Sequence, residues 1–243
     1  MRCSAERLIE AIIATEVMQM QRRAAEEKVK RGQKHEVFVV TISRDFGSLG
    51  KEVAQLLADT LEVRCCDRSI LQEVARRADV DEDLVSALDE HVSSINDHWW
   101  QRLMNKDTFS YEDYYRYLVK TVLSISRGGG VIVGRGANHI LGEAKAFRVR
   151  IRGSEEQCAR RIAEREGITL EESARRVREV NQERAEYIKM LYHEDINDNS
   201  SYDLVLNSDQ YDIVQLTEMI LDAMEKAGYQ LPVDVRNLLS QRH

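Results

Sequence analysis

The sequence has few of the residues that mark secreted, metal-binding or disordered proteins. Its single proline, Pro232, excludes a proline-rich linker and a mainly disordered chain. The four cysteines include no C-x-x-C pair, so neither a disulfide framework nor a zinc ribbon is indicated. The histidines show no metal-ligand spacing. This cysteine usage is typical of a reducing compartment, and we therefore expect a cytoplasmic protein.

Long apolar runs and an excess of positive charge are also missing. No stretch approaches the roughly 18 apolar residues of a membrane span, so we expect no membrane association. The net charge of −7 argues against a general nucleic-acid binder, because such a protein needs a positive field. What remains is 43% hydrophobic residues, which is enough for a large core, and 32% charged residues, which indicate much solvated helix surface.

Short apolar runs, the first of them rich in β-branched residues, alternate with segments of helical spacing. The runs predict strands at 37–42, 63–66, 131–133, 147–151 and 203–206. Two long charged helices are predicted at about 154–166 and 170–192, and a final helix at 211–227. Strands that alternate with helices pair in parallel through right-handed crossovers. The sequence therefore predicts a three-layer α/β domain with ligands at the carboxyl edge of a parallel five-stranded sheet.

The turn after the first strand carries the strongest functional signal. It reads I-S-R-D-F-G-S-L-G-K-E-V from Ile42 to Val53 and leads from a buried strand into a helix. Its glycines let backbone amides approach a ligand, the helix N-terminus attracts anions, and Lys51 adds an ammonium, which together predict a phosphate cradle. The turn departs from a Walker A motif at Asp45 and at Glu52. An ordinary strand-to-helix turn is the alternative.

Arginines follow other predicted strands or lie on the two charged helices. Arg68 and Arg135 come after the second and third strands, at the same sheet edge as Lys51, and indicate a second, acceptor phosphate. Surface ion pairs would explain either of them alone. On the charged helices, Arg161 and Arg184 suit a mobile lid over transferring phosphates. A solvated face of i,i+4 ion pairs is the alternative there. No nucleophile triad or metal cluster is indicated, which is compatible with phosphoryl transfer.

Several stretches, in this order, resemble the cytidylate-kinase-like proteins among the P-loop nucleoside monophosphate kinases. The resemblance spans about residues 37–227, and its motifs are Thr41–Ala54, Cys66–Arg68, Val131–Asn138, Arg160–Ile162 with Arg165 and Glu166, Asn181–Tyr187 and Tyr202–Ser208. It implies a P-loop NTPase fold that uses ATP and Mg²⁺. It also implies an ATP-phosphate loop made of Ser43, Arg44, Phe46, Gly47, Ser48, Leu49, Gly50, Lys51 and Glu52.

The same resemblance implies roles for residues outside the loop. Asp67, Arg68 and Arg135 would bind the acceptor monophosphate. Lys51, Arg161 and Arg184 would be the catalytic residues. Asp203 and Asn207 would lie near the adenine. Because Glu52 lacks the hydroxyl that usually contacts Mg²⁺, the metal would be held by Ser48, Asp67 or water.

These patterns together predict a domain organisation. An amphipathic helix over residues 1–34 would pack on the domain or on a second copy, which would make a homodimer. A kinase-like domain would follow over 35–228, with a helical acceptor-side insert at about 79–127 and a helical lid at about 160–195. Residues 229–243 would form a tail.

The predicted activity is ATP-dependent phosphoryl transfer to a nucleoside monophosphate. CMP or dCMP is the acceptor that the resemblance implies, although Asn181 stands where an acidic residue is common. A nucleotide-binding regulator with little catalysis is the alternative that Glu52 and the thinned lid motivate. A kinase of a non-nucleotide small molecule is the third hypothesis.

Overall fold

The computed structural model describes residues 38–67, 69–79 and 111–231. The predicted helix over 1–34, Arg68, most of the predicted insert and the end of the tail lie outside these residues. The homodimer through the N-terminal helix therefore stays a prediction. In the described part of the chain, no helix is both long and apolar enough to cross a bilayer.

Five parallel strands form one sheet in the described residues. They are β1 Val39–Arg44, β2 Cys65–Cys66, β3 Gly130–Val133, β4 Phe147–Arg152 and β5 Leu204–Asn207. Their order is β2-β3-β1-β4-β5, which places β1 at the centre. Register pairs Ile42 with Val133 on one side and with Val149 on the other. The predicted α/β fold with a parallel five-stranded sheet is thus confirmed.

The first strand runs two residues further than its apolar run predicts. β4 continues the ladder past that run, and Arg44 is paired with Ile151. Ser43 and Arg44 therefore belong to the end of β1 rather than to the turn. This extension matters because it fixes the backbone from which the next loop departs.

Seven α-helices and one 3₁₀ turn accompany the sheet within the described ranges. The helices are α1 Gly50–Thr60, α2 Ser69–Ala78, α3 Tyr111–Gly128, α4 Ala137–Leu141, α5 Glu155–Glu166, α6 Leu170–Tyr192 and α7 Ile213–Lys226. Local chemistry sets several starts: Ser154 caps α5, Thr169 caps α6, and Asp212 with Gln215 forms a capping box on α7. The short helix α4 was not predicted.

Alternate residues of the central strands form the main core on one face of the sheet. Val40, Ile42, Val149 and Ile151 are buried there with apolar side chains of α1 and α7. On the opposite face Ile132 is also fully buried, and α3 and α4 contact β3 and β1. Burial on both faces explains why the strands read as continuous apolar runs. It also leaves the carboxyl edge of the sheet as the place for polar chemistry.

Candidate active site

The loop between β1 and α1 presents unused backbone donors. The first intrahelical bond of α1 joins Val53 N to Leu49 O at 2.9 Å, so the N–H groups of Gly50, Lys51 and Glu52 have no acceptor inside the helix. Lys51 is exposed beside them. The loop and the start of α1 line a groove of about 1000 Å³. Orphan donors, the helix dipole and an ammonium in one place make an anion-binding surface.

Close packing fixes the path of this loop. Gly47 has φ 84°, and a Cβ added there would lie 2.7 Å from the Cys158 carbonyl oxygen at the start of α5. Leu49 has φ 63°, a left-handed conformation that is strained for a residue with a side chain. At the end of β3, Gly134 has φ 75°, and a Cβ there would clash with the Arg44 guanidinium. The loop is therefore held from α5 and β3 as well as from its own strand.

Asp45 stands where a Walker A motif has glycine, and its carboxylate turns toward β4. Arg150 donates from Nη2 to Asp45 Oδ1 at 2.6 Å and from Nη1 to the Ser43 hydroxyl at 3.1 Å. Gly153 N donates to Asp45 Oδ2 at 3.4 Å, and Arg152 Nε lies 3.8 Å from the same oxygen. Arg150 is only 3% exposed. Asp45 borders the groove, and its carboxylate ties the loop to the sheet.

Ser48 also faces the sheet. Its hydroxyl lies 3.0 Å from the Asp45 carbonyl oxygen and 3.1 Å from that of Ile151, and the residue is 1% exposed. The residue borders the groove, but its hydroxyl cannot reach a ligand there. This geometry removes Ser48 from the predicted candidates for Mg²⁺.

The hairpin of α5 and α6 contacts the loop through side chains. Asn181 Oδ1 accepts from Phe46 N at 2.7 Å, and Arg184 donates from Nη1 to Arg44 O at 2.9 Å. Arg161 donates from Nη1 to Gly47 O at 3.3 Å and to the Ser208 hydroxyl at 3.1 Å. Arg161 and Arg184 thus border the groove, and they also bind carbonyls of the loop and of the end of β1.

Positive charge exceeds negative charge among the described residues of the groove. The cationic side chains are Arg44, Lys51, Arg135, Arg161, Arg165, Arg176 and Arg184. The carboxylates are Asp45, Glu52, Asp59, Asp67 and Glu166. The Glu52 carboxylate lies 3.8 Å from Arg165. An acidic chain that collects cations in one groove is arranged to bind an anion.

Arg184 carries the clearest electrostatic signature in this groove. Burial lowers its pKa to about 9, and the neighbouring guanidiniums of Arg44 and Arg150 act in the same direction. The group is still charged at neutral pH. An anion bound beside it would relieve the unfavourable charge, which is the behaviour expected of a residue that contacts phosphate.

A second, smaller cavity of about 250 Å³ adjoins the groove at the ends of β1 and β3. Arg44, Arg135 and Arg184 line both spaces. Asp67 lies between two of them, 3.6 Å from Arg44 Nη2 and 3.5 Å from Arg135 Nη1. Two adjoining cavities with three shared guanidiniums can hold two phosphorylated ligands end to end.

The structure brings together most of the site residues that the sequence predicts. Every predicted loop residue borders the large groove except Ser43, which lines the smaller cavity. Asp203 bonds Arg148 at 2.7 Å on the sheet edge and borders neither space. Asn207 lines a third cavity of about 400 Å³ at the ends of β4 and β5. Arg68 lies outside the described residues.

Sequence reasoning gave no site role to four residues that shape the site, although Arg165 and Asn181 lie in its motifs. Arg165 and Arg176 line the groove, Asn181 binds the Phe46 amide, and Arg150 anchors Asp45. The strand sequence F-R-V-R-I-R offered a signal for Arg150, because a cation inside a buried strand requires a partner. No signal in the sequence indicated which face of the charged helices meets the loop.

The donor set fits ATP better than it fits a metal. The loop amides and Lys51 match phosphate oxygens. Within the described ranges no three His, Cys, Asp or Glu side chains cluster closely enough to hold a metal. Mg²⁺ commonly keeps waters and binds phosphates with only one or two carboxylates. Asp67 is the carboxylate between the two spaces that suits this mode.

A parallel sheet whose central strand leads into a cation-lined phosphate loop defines the class of P-loop phosphate-binding proteins. The model of the cytidylate kinase-like family matches residues 39–210. The chain therefore belongs to the cytidylate kinase-like family, which confirms the resemblance seen in its motifs. The family supports nucleotide kinase activity, so the protein is assigned to the phosphotransferases, and it implies ATP as the donor.

Three individual proteins are similar to this chain. A cytidylate kinase of Methanothrix thermoacetophila is 27% identical over 175 residues, which cover 72% of this chain and 90% of the relative. An uncharacterized protein from Eubacterium ventriosum has the same fold, with a TM-score of 0.58 and 20% identity over 77% of this chain and 98% of its own. A shikimate kinase from Acinetobacter baumannii in complex with shikimate aligns over 80% of this chain and 96% of its own, with a TM-score of 0.43 and 10% identity.

Proposed function

We propose that the protein transfers the γ-phosphoryl group of ATP to a nucleoside monophosphate, with CMP or dCMP as the preferred acceptor. The observation that carries the proposal is the pair of adjoining cavities with Arg44, Arg135 and Arg184 in common. The similarity to a relative called a cytidylate kinase supports the choice of acceptor.

The triphosphate would lie in the large groove. The unused amides of Gly50, Lys51 and Glu52 would bind its oxygens, and the Lys51 ammonium would offset charge on the transferring group. The paired Asp45 and Arg150 would keep the loop in shape while this charge moves. Bound Mg²⁺ would add neutralisation of the phosphates, with Asp67 as the protein carboxylate nearest to that role.

The acceptor would enter the smaller cavity with its phosphate toward Arg135. Its phosphate oxygen is the nucleophile, so the protein needs to align it and not to deprotonate an alcohol. Arg184 lies at the junction of the two spaces, where it would contact the group in transfer. Phosphoryl transfer of this kind rests on positioning and on cationic stabilisation, which is what the site offers.

A coupled ADP-release assay tests the activity. CMP, dCMP, UMP, AMP and GMP are compared with a reaction that has no acceptor, and we expect the two cytidine nucleotides to give the fastest release. The Arg135→Met variant serves as the matched comparison, because it should raise the KM for the monophosphate more than the KM for ATP. Tight ATP binding by calorimetry without ADP release from any acceptor would instead support the nucleotide-binding regulator.

A further inference from the structure

The aromatic ring of Phe46 lies among three arginines of the α5–α6 hairpin. The guanidinium carbons of Arg165, Arg176 and Arg184 are 5.9, 5.5 and 5.8 Å from the ring centroid. These distances are within the range of cation–π attraction. All three arginines also line the groove that would bind the triphosphate. One side chain of the loop thus lies within 6 Å of three cations of the hairpin.

The rest of Phe46 is fixed against the same hairpin. Its amide donates to Asn181 at 2.7 Å, and its side chain packs on an apolar cluster that includes Cys158, Ile162 and Val177. Contacts of both the main chain and the side chain of Phe46 therefore fix the position of the ring. It can act as a fixed point for the half-exposed side chains of Arg165 and Arg176, whereas Arg184 is also held by the Arg44 carbonyl.

The arginines need such a fixed point because their charges repel one another. Arg165 and Arg176 are half-exposed, at 51% and 50%, and both pair with Glu166 at the rim. An exposed ion pair of this kind orders a long side chain only weakly. The ring attracts all three arginines on the groove side. When a triphosphate binds, its phosphates would replace the ring as the group that attracts them. Side chains ordered before a ligand binds spare the ligand part of the ordering cost.

We propose that Phe46 is a positioning residue whose ring holds Arg165, Arg176 and Arg184 over the phosphate loop before the triphosphate enters. This inference rests on the proposed function only in taking a triphosphate as the ligand. The position of Phe46 in a glycine-containing loop does not by itself predict this role. The arginines contact the ligand, and Phe46 acts through them.

The test replaces Phe46 with phenylalanine fluorinated at one, two and three positions, which keeps the shape of the ring and weakens its π charge. Calorimetry measures the Kd of the full-length chain for ATP and for inorganic triphosphate, without any acceptor. We expect Kd to rise stepwise for both ligands, to about three- to tenfold at three fluorines. A rise for ATP alone would mean that the ring contacts adenine, and it would overturn the inference, as would a constant Kd.

A double-mutant cycle gives a second readout. Phe46→Leu and Arg176→Gln are combined, and Phe46→Tyr is the conservative variant expected to restore the affinity for triphosphate. We expect Arg176→Gln to cost less in the Phe46→Leu background than in the wild type. Additive effects, or equal affinities of the Leu and Tyr variants, would contradict the proposal. Should Phe46→Leu fail to fold, the fluorinated series alone decides.

The two proposals fail in distinguishable ways. If the wild type binds neither ATP nor triphosphate, the proposed function is wrong. If the wild type binds both and the fluorinated series is flat, only the role of Phe46 is wrong. Hydrogen exchange over residues 155–192 without ligand adds an independent measure, because weakening the ring should raise exchange in the hairpin while α1 stays unchanged.

Discussion

The phosphate loop has two sides that differ in how their charges are paired. On the sheet side, the Asp45 carboxylate meets the buried Arg150, and the buried Ser48 hydroxyl lies against two backbone carbonyls. On the groove side, the described cations outnumber the carboxylates, and the helix-start amides have no helical acceptor. The loop thus separates a side whose charges are paired from a side with an excess of positive charge.

This difference indicates which charges fix the geometry of the loop and which would bind an anion. A buried ion pair is costly to break on one side, so the pair of Asp45 and Arg150 holds a single loop geometry. An unmatched group of cations costs stability until an anion binds. Changes on the sheet side should therefore alter folding, and changes on the groove side should alter ligand binding and turnover. Three substitutions test this separation.

The largest expected effect is on the sheet side, from Arg150→Met. It leaves the Asp45 carboxylate with only Gly153 N and the distant Arg152, so we expect a loss of about 3 kcal/mol in the free energy of unfolding, measured by urea denaturation. Arg152→Met is the control: its side chain is half-exposed, and it should cost less than about 1 kcal/mol. Equal losses in the two variants would break the comparison.

Lys51→Met should change the groove side alone. Removing one cation from the transferring phosphates should lower kcat/KM by about 10²-fold in the ADP-release assay. The urea midpoint should not move, because Lys51 is exposed. Lys189→Met removes an exposed lysine of α6 that does not line the groove, and it should leave both quantities near the wild-type values. Turnover that is equal in the two variants would exclude Lys51 from the chemistry.

Arg184→Met should give the smallest of the three effects and sharpen the role of charge. We expect about tenfold weaker ATP binding, which is about 1.4 kcal/mol. Because the pKa of Arg184 is lowered to about 9, its positive charge is lost as pH rises through that value. The gain in Tm on adding ATP should therefore decline above pH 8 in the wild type, beyond any decline seen in Arg184→Met. Parallel profiles in thermal shift measurements would argue against this contact.

The sequence was most informative where local chemistry decides the structure. Short apolar runs located all five strands, and the pair of glycines before Lys51 located the loop. Strand ends converge on one edge of a parallel sheet, so Arg135 was placed correctly from its position after β3 alone. These features depend on neighbours in the chain or on a rule of topology, and neither requires knowledge of side-chain packing.

The remaining features depend on contacts between distant segments. In the sequence, Asp45 is a departure from the Walker A motif, and only the structure shows that Arg150 of β4 pairs with it. The Ser48 hydroxyl was a candidate metal ligand, and only its two backbone carbonyls show that it turns away. Arg165 and Arg176 are indistinguishable in sequence from other arginines of the charged helices, since the rotation of α5 and α6 against the loop is a tertiary property.

Positions 44 and 134 are far apart in the chain, but the close approach of Gly134 to Arg44 couples the substitutions that the two positions can accept. A side chain added at 134 would displace the guanidinium, and a shorter residue at 44 would release Asp67 from one of its partners. The residue that is tolerated at position 134 therefore depends on the residue at position 44. Homologous chains should keep both residues or change both together.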